Sequence, residues 1–402
     1  MFFEFLLAAL LGITAGIFTG LVPGIHINLV SIIIVGISSH MLGFVSFTSL
    51  GVFIIAMAIT HTFLDILPAI FLGAPDESTA LGVLPGHRLL LKGMGYEAVK
   101  ITVIGSLLSL IMVLFLFPLF ILLVPKIYDK IQPYIGWFLI LIVIYMIAIE
   151  KGLDKKFWSL QVFLLSGSLG ILALTMPNLK QPLFPMLSGL FGLSMLIVSL
   201  YQKVEIPKQR VTDTIKISNA EGAKAITAGT FSGSIVSFFP GMGPAQAAVI
   251  GSNILSLNTY SFLILIGGIG TVDMAVSLVS LYTLEKARNG AVFAIKELLD
   301  KIDLNTLLLF IGTALLAAGI ATFLALYFAK IFIKLIEKVN YRMLCFFAIL
   351  LITVLVFYFS SWTGLLILLV STAIGIIPNL VDVKRSHSMG CLMLPVILFF
   401  IL

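Results

Sequence analysis

Residues 12–24 read Gly-Ile-Thr-Ala-Gly-Ile-Phe-Thr-Gly-Leu-Val-Pro-Gly, and residues 229–241 read Gly-Thr-Phe-Ser-Gly-Ser-Ile-Val-Ser-Phe-Phe-Pro-Gly. A shift of 217 residues lays Gly12, Gly16, Pro23 and Gly24 on Gly229, Gly233, Pro240 and Gly241 without a gap, and Gly20 on Ser237. Small residues every four positions give a helix face that another helix can approach closely, a common device in membranes. The Pro-Gly that follows breaks the helix, because Pro lacks a backbone donor and Gly tolerates positive φ. Broken backbone in apolar sequence survives only where protein buries it or a water-filled cavity satisfies it. Paired interruptions in two halves of a chain point to the central site of a transporter.

Composition agrees. Of 402 residues, 60% are hydrophobic and 10% charged, and the mean hydropathy is +1.19. Soluble domains carry about 25% charged residues, so an ordinary soluble enzyme is excluded. The length allows about a dozen spans of about 20 residues. Cys345 and Cys391 both lie in apolar runs and build neither a disulfide framework nor a Cys-rich metal site. The opening Met-Phe-Phe-Glu lacks the positive region of a cleaved signal, so the first apolar stretch reads as a retained span.

The positions of the charges say more than their number. Asp65 is the only charge between residues 5 and 75, and Asp273 the only one between 225 and 284. Windows 101–125, 131–149, 157–179, 181–202, 304–329 and 343–381 have none. The Lys/Arg bias places the loops at 88–100, 151–156, 203–224, 330–342 and 384–385 inside, with 17 basic residues against 7 outside. The N-terminus is then extracytoplasmic and the polar linker 202–224 cytoplasmic. The expected division is a first transmembrane repeat over 1–201, the linker, and a second repeat over 225–402. The first half runs from outside toward the inside loop at 88–100, and the second from inside toward the outside loop at 285–303. The fold expected is an all-α polytopic membrane protein of about 10–12 helices in two inverted-topology repeats with broken or re-entrant helices.

Asp65 and Asp273 are the leading candidates for chemistry, since a carboxylate inside a span is costly and usually faces an ion or substrate path. The plainer reading is an Asp that caps a broken helix. Each follows a threonine, Thr62 and Thr271, which makes the four residues the expected coupling-ion set. Glycine-rich breaks beside a carboxylate suit Na⁺, and an Asp with a nearby His suits H⁺; the residues do not choose. Matching Asp65 to Asp273 requires about nine fewer residues in the second half. His26, Asn28 and His61 lie near these features, but no metal-ligand spacing joins them, so no metal and no cofactor beyond a coupling ion is expected. Pro244 suits the first turn of a new helix, and the turn before it offers backbone amides to an anion. The expected substrate-binding set is Gly24, His26, Asn28, Ser78, Thr79, Gly241, Gly243 and Gln246. The turn Pro85-Gly86-His87-Arg88 reads either as ordinary positive charge at the membrane surface or as an anion funnel.

Residues 66–110 resemble the signature of the large permease subunit of tripartite tricarboxylate transporters. The resemblance rests on Pro75-Asp76, Ser78, Thr79, Gly86-His87, Gly93 and Gly105-Ser106, with Gly20-Leu21-Val22-Pro23-Gly24 and Pro240-Gly241-Met242-Gly243 resembling the glycine-rich motifs. Here Thr62-Phe63-Leu64-Asp65-Ile66-Leu67 replaces a run rich in glycine and hydroxyls, Pro85 replaces an Asp, and the chain is shorter. These departures mark a divergent branch, expected to be archaeal. The resemblance implies a small four-span membrane subunit and an extracytoplasmic solute-binding protein as partners.

The reading is a secondary permease of small organic anions, di- or tricarboxylates, coupled to Na⁺ or H⁺. The rivals are a transporter or flippase of a lipid-linked or other non-carboxylate substrate, an intramembrane enzyme using His26, His61 and Asp65, and a channel. No phosphate-binding Gly-x-x-x-x-Gly-Lys-Ser/Thr loop is present.

Overall fold

The computed structural model describes residues 2–402 except 24, 26, 28–29, 32, 36–37, 39–44, 76–77, 178, 180, 202–206, 213–214, 216, 239–243, 256, 288 and 337–340. The described residues form α-helices, short 3₁₀ turns and one π-helical stretch, with no strand among them. In chain order the α-helices are α1 (Phe2–Leu21), α2 (Phe47–Leu64), α3 (Ile66–Leu72), α4 (Val83–Leu90), α5 (Gly95–Ile131) and α6 (Ile135–Ala148). Then come α7 (Leu153–Thr175), α8 (Leu183–Leu187), α9 (Ser194–Tyr201), α10 (Asn219–Phe238) and α11 (Pro244–Leu255). The chain closes with α12 (Thr259–Leu284), α13 (Gly290–Leu299), α14 (Leu304–Ile336), α15 (Tyr341–Leu380) and α16 (Gly390–Ile401). Among the described residues, 8 helical segments are long and apolar enough to cross a membrane, and α6 and Arg385–Ile401 are shorter apolar ones.

Two segments form the centre. In their most apolar windows, 89% of Phe47–Leu72 and 83% of α12 is buried, against 28% for Gly95–Lys126 and for Cys345–Leu380. Helices apolar on all sides belong in the interior. The outer ones turn residues such as Phe115, Phe323, Phe346 and Leu369 outward, where lipid receives them. Polar caps start the central helices: the Ser46 side chain accepts from Ser49 N, and that of Asn258 from Ser261 N. Within α15, Ser361 has φ 54° and ψ −155°, so two helical lengths meet at a kink.

The glycine rows do what their spacing predicts. On α1, Gly12 packs against Phe53 and Ala56, Gly16 against Met57 and Thr60, and Gly20 against His61 and Leu64. On α10, Gly229 packs against Leu265 and Gly268, and Gly233 against Ile269 and Val272. Each central helix also meets a long helix from the other half. Gly105 of α5 abuts Ile264 of α12, and Gly51 of α2 abuts Phe310 of α14. Ser106 Oγ donates to the Gly267 carbonyl across the α5–α12 contact, 3.0 Å.

Loop contacts sort into two groups. In one, Arg210 N donates to Gly93 O (2.8 Å), Gly95 N to Gln209 Oε1 (3.0 Å) and Lys100 Nζ to Thr212 O (3.3 Å). Lys330 lies over the Tyr96 ring, and Lys155 pairs with Asp382. In the other, Ser49 Oγ donates to Glu4 Oε1 at 2.7 Å, and Lys286 stacks over Tyr128. The first group gathers loops that the basic bias places on one side; the second ties the start of α2 to the N-terminus and joins two loops that the bias places on the other.

A methyl group at Gly16 would lie 2.6 Å from both the Met57 carbonyl oxygen and Thr60 Cβ, whereas one at Gly319 would meet nothing within 4 Å. Gly16→Ala is expected to lower stability by about 1–3 kcal/mol through overpacking. Gly319→Ala should change it by less than about 1 kcal/mol. Thermal unfolding of both variants in detergent checks this.

Candidate functional site

The polar residues of the two central helices meet at one junction. Between α2 and α3 stands Asp65, its N–H still bonded to His61 O at 2.9 Å. Pro68, four residues after Leu64, has no N–H to give the Leu64 carbonyl, so the ladder is interrupted beside the aspartate. Asp65 is buried, at 4% exposure, and its Oδ2 accepts a hydrogen bond from Ser78 Oγ at 2.9 Å. Ser78 rests against Gly270 of α12; a methyl group there would lie 3.2 Å from Ser78 Cβ. One residue further on, Thr271 Oγ1 lies 3.3 Å from Thr62 Oγ1. Thr62, Asp65 and Ser78 from the first half thus converge on Gly270 and Thr271 from the second. Thr79 is buried next to Ser78.

Asp273 faces another way. Two residues past Thr271 is about 200° around the helix at 3.6 residues per turn, so it turns toward α10. There Ser237 Oγ lies 2.9 Å from Asp273 Oδ1 and 2.7 Å from Gly233 O. One hydroxyl proton serves one of these acceptors at a time. With the carboxylate ionised, Ser237 donates to it; with the carboxyl protonated, Asp273 donates to Ser237, which then bonds Gly233. The backbone carbonyl of Ser237 accepts from Ser280 Oγ at 3.1 Å.

The helix packing corrects the match between halves. Phe53 and Leu265, Ala56 and Gly268, Met57 and Ile269, and Thr60 and Val272 occupy equivalent places against the glycine rows, all offset by 212 residues. The same offset pairs Asp273 with His61, and Asp65 with Ser277, in place of Asp65 with Asp273. His61 Nδ1 meets Thr19 Oγ1 of α1 at 3.2 Å, as Asp273 meets Ser237 of α10. Ser277 Oγ is buried with no hydrogen-bond partner among the described residues. The two aspartates looked equivalent because both are lone charges in apolar runs, a pattern that carries no register.

Gly24, His26, Asn28, Gly241 and Gly243 lie outside the described residues, as does the side chain of Gln246. The flanking helices end at Leu21 and Phe238, just before each Pro-Gly, and α11 starts at Pro244. Two features escaped the sequence reading. Ser237 counted there only as a small residue, although a hydroxyl in a glycine row was a signal. His387, given no role, is buried with Nε2 3.1 Å from Glu150 Oε1; nothing in the sequence links positions so far apart.

A cavity of about 1110 Å³ opens beside the junction, bordered by Ala80, Arg88, Glu150, Ser199, Lys384 and Arg385, among others. Ala80 follows Ser78 and Thr79 directly, so the loop that bonds Asp65 also forms a cavity wall.

Residues 6–390 match the model of the tripartite tricarboxylate transporter TctA family. The uncharacterized protein MJ1079 of the archaeon Methanocaldococcus jannaschii is 31% identical over 406 aligned positions, covering 98% of this chain and 99% of the relative. No solved structure matches the chain.

A double-mutant cycle with Thr62→Val and Thr271→Val tests the junction. A coupling of about 0.5–1.5 kcal/mol is expected from one hydroxyl–hydroxyl bond, read from unfolding midpoints. Strict additivity would mean the two hydroxyls do not interact.

Proposed function

The chain belongs to the tripartite tricarboxylate transporter TctA family, and we propose that it moves small organic anions, di- or tricarboxylates, using a gradient of Na⁺ or H⁺. The observation that carries this reading is the junction of Thr62, Asp65 and Ser78 with Gly270 and Thr271. Polar groups from both halves meet between the most buried helices, where an ionisable side chain is costly and is kept for transport chemistry. Asp65 and Asp273, with Thr62 and Thr271, take the coupling ion. Ser78, Thr79, Gly24, His26, Asn28, Gly241, Gly243 and Gln246 hold the anion, largely through backbone amides and hydroxyls. Lys and Arg are absent from the central helices, so helix termini supply the positive potential. The solute crosses chemically unchanged.

The two halves are inverted repeats, a reading supported by the matched glycine contacts and by each central helix leaning on a long helix of the other half. Rocking of one bundle against the other would expose the junction to alternate faces. The N-terminus is extracytoplasmic and the linker 202–224 cytoplasmic, on the basis of the basic bias. A small four-span subunit and an extracytoplasmic solute-binding protein complete the system.

Uptake of labelled citrate by vesicles holding the chain with both partners, under an imposed Na⁺ or pH gradient, is the test. Asp65→Asn and Asp273→Asn should each lower gradient-driven uptake at least about tenfold, a loss of about 1.4 kcal/mol or more in the driven step. Unchanged driven uptake in both variants would refute the coupling assignment, and no transport of any organic acid would refute the substrate class. A reporter fused within 203–224 is expected to score cytoplasmic; an extracytoplasmic score would invert the topology.

A further inference from the structure

The cavity beside the junction has a wall on which Arg88, Lys384 and Arg385 make no ion pair among the described residues. Arg385 is 8% exposed. Its Nη1 donates to Phe191 O at 3.2 Å and its Nη2 to Ser194 Oγ at 3.3 Å, both uncharged acceptors. Its Nε is buried with no hydrogen-bond partner among the described residues. Burial presses the Arg385 pKa down, and the nearby charge of Arg88 adds to that. Lys384 stands at the same border.

Two carboxylates border the cavity among the described residues. Asp382 pairs with Lys155, while Glu150, hydrogen-bonded to His387 at 3.1 Å, brings one acidic group to a lining where Arg88, Lys384 and Arg385 outnumber it. His87, also on the wall, donates from Nδ1 to Ile70 O at 3.1 Å. Burial, with Arg385 adding to it, holds its pKa below the usual imidazole range, so it adds no charge at neutral pH. A buried guanidinium facing a second one is costly without an anion. A fixed guanidinium fork suits a planar carboxylate or a phosphate.

We propose that this cavity is a second anion site, in which Arg385 and Arg88 grip the carboxylates of a small polycarboxylic acid, with Lys384 at its mouth. Its position gives it a role. One wall begins at Ala80, two residues after the Ser78 that bonds Asp65, and its basic residues belong to the loops that the charge bias places inside. It is therefore a waypoint between the central junction and the cytoplasm, taking up an anion as the inward face opens. The site stands on Arg88 and Arg385; its role as a waypoint rests on the permease reading above. The other source of such an oxyanion is a phospholipid headgroup, which the test separates.

The full-length protein in phosphatidylcholine nanodiscs is titrated with labelled citrate. Arg88→Gln, at an exposed side chain, and the charge-preserving Arg385→Lys should each weaken binding at least about tenfold, while Lys126→Gln, on a distant loop, should not. A second readout guards against misfolding. Cys345 and Cys391 are buried, so Ser386→Cys on the cavity wall supplies the reactive thiol. Citrate should slow its labelling by a hydrophilic maleimide, and should fail to do so when Arg88→Gln is added. Unchanged binding in both arginine variants overturns the site. Citrate binding abolished by phosphatidylglycerol makes a headgroup the occupant and overturns the organic-acid assignment. Arginine-dependent citrate binding in a system that fails gradient-driven uptake would sink the permease reading and leave the site standing. Intact uptake with arginine-independent binding would sink the site alone.

Discussion

Direct contact between helix backbones at small residues is the constraint on which the structure depends. Lipid gives two helices little hydrophobic reason to associate, so they hold together where their surfaces fit and their backbones touch. Gly12, Gly16 and Gly20 let α1 lie against α2, and Gly229 and Gly233 let α10 lie against α12. Gly105 and Gly267 bring α5 and α12 equally close. With side chains at these places, the hydroxyls of Thr62 and Thr271 would sit beyond hydrogen-bond reach. Close packing is thus what delivers polar groups from distant parts of the chain to one buried place.

That place contains more polar chemistry than a stable core requires. A carboxylate, a serine and two threonines lie among Ile, Leu and Phe side chains, and a second carboxylate faces Ser237 on the far side of α12. The hydroxyls here have more than one acceptor in reach: Thr62 also bonds Ile59 O, Thr271 Gly267 O and Ser237 Gly233 O, so they can exchange one bond for another as a proton or an ion arrives. The arrangement satisfies the fold and leaves the aspartates free to change state. The basic cavity next to the junction has the complementary character: basic side chains outnumber acidic ones along its described lining.

The membrane class, the helical content and the two glycine rows with their Pro-Gly ends were all legible in the chain. Hydrophobic run length, helix-breaking residues and small-residue spacing are local properties, and lipid imposes them strictly. The helix ends at Leu21 and Phe238 and the start at Pro244 fall where proline and glycine chemistry puts them. Asp65 and Asp273 could be picked out as anomalies for the same reason. Their relation to one another could not. Loop length between the helices hides the register, and only the side chains touching Gly12, Gly16, Gly229 and Gly233 reveal that His61, and not Asp65, occupies the place of Asp273.

By itself the sequence determined that this chain lives in a bilayer as a bundle of helices with repeated close-packing faces, because those features follow from what each segment can bury or leave unbonded. The tertiary structure alone decided which polar groups meet. Ser78 with Asp65, Thr62 with Thr271, Ser237 with Asp273, and Arg385 beside Arg88 are pairs separated by 13 to 297 residues. Such pairing depends on the crossing of helices in space, and no spacing along the chain encodes it.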